Sequence, residues 1–194
     1  MYLIINNSLS SKKVKAFPKL VSFFTSNNIP HVIINSKKEL IENLNKKIKG
    51  VILSGSDLSY TSKVCNNQIN VNVMVLLELN VPILGICFGF QTIGLFYGGT
   101  ISKLQKLNKG MEQININNNK LFENINNTNF FQFHHDYLKE LPFNFELIAL
   151  NNNNIINGIK HKYKPIYGVQ FHPELSGISG YQLLHNFINI CSTY

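Results

Sequence analysis

The first half of this chain alternates short, wholly apolar runs with longer stretches whose apolar residues recur at helical spacing. That alternation confines it to an α/β architecture built on a parallel sheet. Tyr2 to Ile5, His31 to Ile34, Gly50 to Ser54 and Val81 to Ile86 read as strands. Between them, Lys13 to Ser26 carries Phe17, Leu20, Val21 and Phe24 on one face, and Pro18 either kinks this helix or marks its true start. Lys38 to Lys46 is a lysine-edged helix, and Val71 to Leu79 a third.

Beyond Gly99 the pattern changes to short strands between Asn-rich turns: Gly110 to Asn115, Asn129 to Phe133, Phe145 to Leu150 and Ile155 to Lys160. Asn tolerates the left-handed backbone, so Asn117-Asn118-Asn119 and Asn151 to Asn154 read as surface turns rather than linkers. Ile166 to Phe171 returns as a buried strand, and a closing helix, Tyr181 to Ile190, buries Tyr181, Leu184 and Ile188. With no internal repeat and no boundary, residues 1–194 read as one domain. The expected fold is a mostly parallel open sheet flanked by helices, with a small antiparallel excursion in its second half.

Composition narrows the function. At 44% hydrophobic and 14% charged residues the chain is globular rather than disordered. No apolar run nears the roughly 20 residues of a membrane helix, and Asn6-Asn7-Ser8 ends the first apolar run at once, unlike a signal peptide. A cytoplasmic protein is expected. The net charge of +8 invites a nucleic-acid reading. Against it, all 18 basic residues are scattered Lys, and Arg, the residue of bidentate phosphate contacts, is absent. Only Ala16 and Ala149 are alanines, and this usage is what an AT-rich genome writes. No nucleic-acid or membrane partner is expected. Cys65, Cys87 and Cys191 are odd in number and far apart, which argues against disulfides and zinc and leaves a nucleophile as the chemical role for a well-placed cysteine.

Gly85-Ile86-Cys87-Phe88-Gly89 is that place. It joins a buried strand to a helical segment and has the form of a nucleophile elbow with Cys in the position of Ser. At a helix N-terminus the thiolate is favoured by free N–H groups, and the Phe88 amide faces a developing oxyanion. Gln91, four residues on, emerges on the same helix face. Packing of a buried Cys in a small-residue turn accounts for the elbow equally well when it stands alone. A base and an orienter are supplied by Val169-Gln170-Phe171-His172-Pro173-Glu174 at the end of another buried strand. Residues i and i+2 of an extended segment point the same way, so Glu174 can hold one imidazole nitrogen of His172 and leave the other for Cys87. Both segments lie at the C-terminal ends of strands, where α/β sites form.

Pro82 to Gln91 and Tyr167 to Glu174 resemble the two signature motifs of class I, triad-type glutamine amidotransferases. The resemblance spans nearly the whole chain. Ile52-Leu53-Ser54-Gly55 resembles the strand before the oxyanion loop, Gly98-Gly99 the turn after the nucleophile helix, and Phe131 to Asp136 with Leu141-Pro142 a further segment. Within the family the likeness is to the branch of separate amidotransferase subunits that serve two-subunit GMP synthetases. It implies a flavodoxin-like fold and hydrolysis of glutamine to glutamate and ammonia. Cys87 would attack, His172 would shuttle the proton and Glu174 would hold it. Gly55, Ser56 and Phe88 would form the oxyanion hole, and Gln91, His134, His135 and Asp136 would bind substrate. The chain itself would need no cofactor and no metal. ATP and magnesium would belong to the partner, a separate ATP pyrophosphatase-type synthetase subunit that activates xanthosine monophosphate.

The chain departs from the family where Gly-Gly-Pro is usual and Gly55-Ser56-Asp57 stands. Ser56 restricts any backbone flip, and Asp57 opposes an oxyanion unless it points away. Asn6-Asn7-Ser8-Leu9-Ser10 lacks the Asp and paired small residues usual in the first loop, and His135 replaces a small residue. The alternatives are a stand-alone γ-glutamyl hydrolase and an inactive regulatory subunit. A metal cluster of His134, His135, Asp136 and His172 lacks ligand-like spacing, and His31, His161 and His185 read as ordinary surface or helix residues.

Overall fold

The computed structural model of the chain describes residues 1–8, 15–61 and 67–194, with 67 and 68 in backbone only. Leu9, Ser10, the expected helix start at Lys13 and Cys65 lie outside the described residues. Nine strands among those described form one sheet: β1 (Tyr2–Ile5), β2 (His31–Ile34), β3 (Gly50–Leu53), β4 (Ile83–Ile86), β5 (Thr100–Ile116), β6 (Asn129–Glu140), β7 (Phe145–Asn151), β8 (Ile156–His161) and β9 (Ile166–Val169). Their order is β2-β1-β3-β4-β9-β8-β7-β5-β6. From β2 to β9 the pairings are parallel, and from β9 to β6 they are antiparallel. The helices are α1 (Ala16–Ser26), α2 (Lys37–Asn43), α3 (Asn67–Glu78), α4 (Phe88–Phe96) and α5 (Gly177–Thr193).

The parallel strands β1, β3, β4 and β9 are buried at every position because helices cover both faces of the sheet. On one face Tyr2, Ile4, Ile52, Leu84 and Ile86 pack with Leu20, Phe23 and Phe24 of α1 and Leu183, Leu184 and Phe187 of α5. On the other, Leu3, Ile5, Val51, Leu53 and Ile83 meet Leu40 of α2, Val71 and Val75 of α3 and Ile93 of α4. Alternate residues of each strand thus feed opposite layers, as the period of two requires. The helix α2 begins at Ser36, whose hydroxyl accepts from Glu39 N at 3.3 Å, and ends at Asn43, short of the expected Lys46.

Three expectations are corrected. The strands expected at Gly110 to Asn115 and Asn129 to Phe133 are parts of 17- and 12-residue strands. Ile114 is the one buried residue of β5, so lysines and asparagines on its wet faces hide the strand pattern. Tyr181 is 40% exposed: α5 starts earlier, at Gly177, and turns Leu183, Leu184, Phe187, Ile190 and Cys191 inward. His161 is buried rather than superficial, packed edge-on against Tyr97 and Phe145, and its Nδ1 accepts from the amides of Tyr163 and Lys164. Among the described residues no helix is long and apolar enough to cross a membrane.

Candidate active site

The β4 and β9 strands are neighbours with Ile86 opposite Val169, so the residues that follow them emerge side by side. Cys87 is the first residue beyond β4 and the N-cap of α4, with φ 50° and ψ −101°, a positive φ that is costly for a residue with a Cβ. The turn tolerates it because the main chain is held on both sides: Cys87 N donates to Val169 O at 2.8 Å and Gln91 N to Cys87 O at 3.0 Å. The crowding that makes the flanking glycines necessary is severe. A Cβ on Gly89 would stand 2.2 Å from Leu53 O, and one on Gly85 2.6 Å from Ile93 Cδ1.

His172 follows β9. Its amide donates to Phe131 O at 2.8 Å, and its carbonyl accepts from the Ser176 hydroxyl at 2.6 Å, which fixes the backbone against β6. Nδ1 of its ring meets Glu174 Oε1 at 2.8 Å, with both side chains fully buried. The partner of Nδ1 being a carboxylate, Nδ1 carries the proton. Nε2 has no hydrogen-bond partner among the described residues and faces the Cys87 sulfur. Burial works against a charged ring here. The Glu174 carboxylate and Cys87 more than offset it and carry His172 up to about 10. The geometry brings together a strained cysteine, an imidazole held in one tautomer and the carboxylate that holds it. Such a set can perform nucleophilic attack with proton shuttling.

Opposite the triad runs the segment after β3. Gly55 approaches so closely that a Cβ there would lie 2.7 Å from His172 Cε1 and 3.5 Å from Cys87 Cβ. The Ser56 hydroxyl donates to Asn7 O at 2.6 Å and accepts from Leu58 N, while Asn7 in turn grips Ser54 through its amide and side chain. The first loop thus braces the second. Asp57 is exposed to solvent, so water screens its charge. Phe88 stacks on Tyr60 with ring centroids 4.7 Å apart, and the Tyr60 hydroxyl lies 2.6 Å from Thr92 Oγ1.

Alternation along β6 buries His134 and Asp136 and leaves His135 exposed. The Asp136 carboxylate accepts from the Ser59 hydroxyl and from the amide and hydroxyl of Thr61. Burial alone would raise it, yet these bonds prevail and hold it below the usual carboxylate value. Its carboxyl group is therefore engaged with the facing loop. Its backbone carbonyl accepts from Gln91 Nε2 at 2.8 Å and His134 Nδ1 at 2.9 Å. Desolvation lowers His134 to about 4, so its ring is neutral at physiological pH.

Ser56, Cys87, Gln91, His134, His135 and Asp136 all line one cavity of about 300 Å³, joined by Asp57, Leu58, Ser59, Leu107 and Phe133. Gly55 and His172 border an adjoining recess. Sequence reasoning passed over Ser59, Tyr60, Thr61 and Gln170. The first three left no local signal, since their partners lie 32 to 77 positions away. Gln170 left one: it stands two residues before His172 and shares its side of the strand. Among the described residues no group of three or more His, Cys, Asp or Glu is disposed to hold a metal ion.

Residues 15–190 match the family model "Glutamine amidotransferase class-I". The separate glutamine-hydrolyzing GMP synthase subunit of Methanocaldococcus jannaschii is 37% identical over 150 residues, 76% of either chain. Its counterpart of the same name from Methanococcus aeolicus is 38% identical over 84% of this chain and 85% of its own. The glutamine-hydrolyzing GMP synthase of Spiroplasma kunkelii is 41% identical over 148 residues, only 28% of that longer protein. The crystal structure of a candidate GMP synthase subunit from Thermoplasma acidophilum superposes over the full chain with TM-score 0.84 at 24% identity, covering 94% of that structure. A glutamine amidotransferase from Thermotoga maritima superposes with TM-score 0.72 at 18% identity over 99% of this chain and 84% of its own.

Proposed function

The chain belongs to the class I glutamine amidotransferase family, and from that premise we propose that it hydrolyses glutamine through Cys87, His172 and Glu174 to supply ammonia to a separate GMP synthetase subunit. The observation that carries the reading is the buried pair of His172 Nδ1 and Glu174 Oε1 at 2.8 Å beside Cys87 in its strained turn. The Cys87 thiolate attacks the side-chain carbonyl carbon of glutamine. The oxygen's developing charge is met by the Phe88 amide at the start of α4 and by an amide of the Gly55–Ser56 loop. His172 gives the proton from Nε2 to the departing nitrogen, which leaves as ammonia, and a γ-glutamyl thioester remains on Cys87. Neutral His172 then takes a proton from water, the hydroxide adds to the thioester, and glutamate leaves as the thiolate returns. Glu174 keeps the imidazole in its tautomer and balances its charge.

Gln91 is the first candidate for holding the substrate's polar end, with His134 and the backbone about Asp136 beside it. His135 stands on the cavity rim. No cofactor is assigned to this chain, and ATP and magnesium fall to the synthetase. The relatives' shared name supports that partner and a cytoplasmic site of action. Glutamate release by the purified chain, alone and with a GMP synthetase ATP pyrophosphatase subunit, xanthosine monophosphate, ATP and magnesium, tests the proposal. Cys87→Ala must abolish release in both conditions. Release from the wild type in neither condition, or equal release by the variant, overturns it.

A further inference from the structure

Gln170 has no part in the chemistry described above, yet it is the residue beyond β9 that reaches the sulfur. Its side chain is fully buried, and a primary amide buried without partners costs free energy at each unmatched atom. Both of its ends are matched inside the site. Gln170 Oε1 accepts from Gln91 Nε2 at 3.1 Å, and Gln170 Nε2 donates to Cys87 Sγ at 3.6 Å.

The orientation of both amides follows from one atom. The Asp136 carbonyl can only accept, so the nitrogen of Gln91 must face it, 2.8 Å away. The second hydrogen of that nitrogen goes to Gln170, which must therefore present its oxygen to Gln91. Its nitrogen is left to the sulfur. With both hydrogens of Gln91 spent, Oε1 is the atom that residue has left to offer a ligand. The main chain holds the same register, since Gln170 N donates to Asn157 O at 2.9 Å. A leucine of similar size would fill this space without touching the chemistry. An N–H aimed at sulfur does more, because a donor bonds an anionic acceptor more strongly than a neutral one.

Resting on the glutaminase reading above, we propose that Gln170 is a positioning residue for the nucleophile: its amide favours and orients the Cys87 thiolate, and it ties the sulfur to Gln91. It exchanges no proton with the substrate and acts through Cys87 alone.

The test reads the thiol without glutamine. Alkylation of Cys87 by iodoacetamide is followed site by site with mass spectrometry, which separates it from Cys65 and Cys191, across a range of pH. Gln170→Glu keeps an oxygen for Gln91 and sets a carboxylate against the sulfur. It should slow alkylation at neutral pH about tenfold and move the pH–rate profile upward. Its kcat for glutamine should fall by about the same factor, with KM changed less than about threefold. Gln170→Leu should slow alkylation about threefold by removing the donor. If either variant fails to fold, Gln91→Leu, which frees the Gln170 amide to turn away, should likewise slow alkylation and additionally raise KM. Wild-type alkylation rates and profile in a folded Gln170 variant, or in Gln91→Leu where those do not fold, overturn the assignment. Slow alkylation in the variants sustains it even if the wild type never releases glutamate. Failure of glutamate release overturns only the glutaminase reading.

Discussion

The two walls of the cavity are built on different principles. The wall carrying Cys87 and His172 grows out of β4 and β9, adjacent strands at the centre of the sheet, and is fixed by main-chain bonds to Val169 O and Phe131 O. The facing wall, Gly55 to Thr61, has no regular structure. It is pinned by side chains alone: Ser56 to Asn7, Ser59 and Thr61 to Asp136, and Tyr60 to Phe88 and Thr92. The first wall opens only when the sheet does. The second can loosen locally, because each clasp is a separable contact of modest strength. The nucleophile is thus rigid by construction, while the surface that closes over it is adjustable.

Breaking the first wall should break the fold. Gly89→Ala drives a methyl into Leu53 O, and backbone on backbone has nowhere to yield. A loss of about 3 kcal/mol or more is expected, larger than most over-packing. Urea unfolding measures it. A variant as stable as wild type would mean that α4 can slide from β3, and the rigidity of this wall would be disproved.

Much of that wall was legible beforehand, and the reason is local. Apolar runs, glycines beside Cys87 and the i, i+2 spacing of His172 and Glu174 are all written within a few residues of one another. Strand β5 was only partly legible because a strand wet on both faces shows no apolar alternation. The facing wall was illegible for a different reason. Thr61 and Asp136 meet across 75 positions, and no local pattern of Ser, Tyr or Thr announces such a partner. Asp136 illustrates the limit: the resemblance marks it as a substrate ligand, while its carboxylate is occupied by the loop.

His134 joins the two walls through the Asp136 carbonyl, and it makes the comparison sensitive to pH. Its folded value lies near 4, below the ordinary 6.5. Between those values the unfolded chain binds a proton that the folded chain refuses, so stability falls as pH drops from about 6.5 to about 4. The full loss is about 3 kcal/mol. Asp136 adds to the decline lower down: its folded value is depressed, so its contribution is present above 3.8 and is lost as pH falls through the folded value. Thermal unfolding across this range should show the slope, and His134→Gln should flatten its upper part. An unchanged slope in that variant would assign the acid limb to other groups.

Asp136→Asn attacks the facing wall by itself. It keeps the size and the backbone carbonyl but weakens charge-assisted bonds to Ser59 and Thr61, and about 2 kcal/mol is expected. Hydrogen exchange should rise at residues 56–61 and stay unchanged in β4 and β9. Activity should fall about tenfold, in proportion to a loop that is closed less of the time. Equal exchange in both walls would show that they open together and would remove the contrast.

The smallest effect is the sharpest probe. Tyr60→Phe keeps the ring stacked on Phe88 and deletes one hydrogen bond to Thr92, whose hydroxyl still donates to Phe88 O at 2.9 Å. Burial pushes the Tyr60 hydroxyl up to about 12, so it stays protonated and its loss removes no charge. About 1 kcal/mol is expected, a fall of roughly 2–4 °C in Tm for a chain of this size. If stacking positions the Phe88 amide, glutamine turnover should remain within about twofold of wild type while Tyr60→Ala, which removes the ring, loses about tenfold. Equal losses in the two variants would mean that the hydroxyl, and not the ring, holds the facing wall against the oxyanion donor.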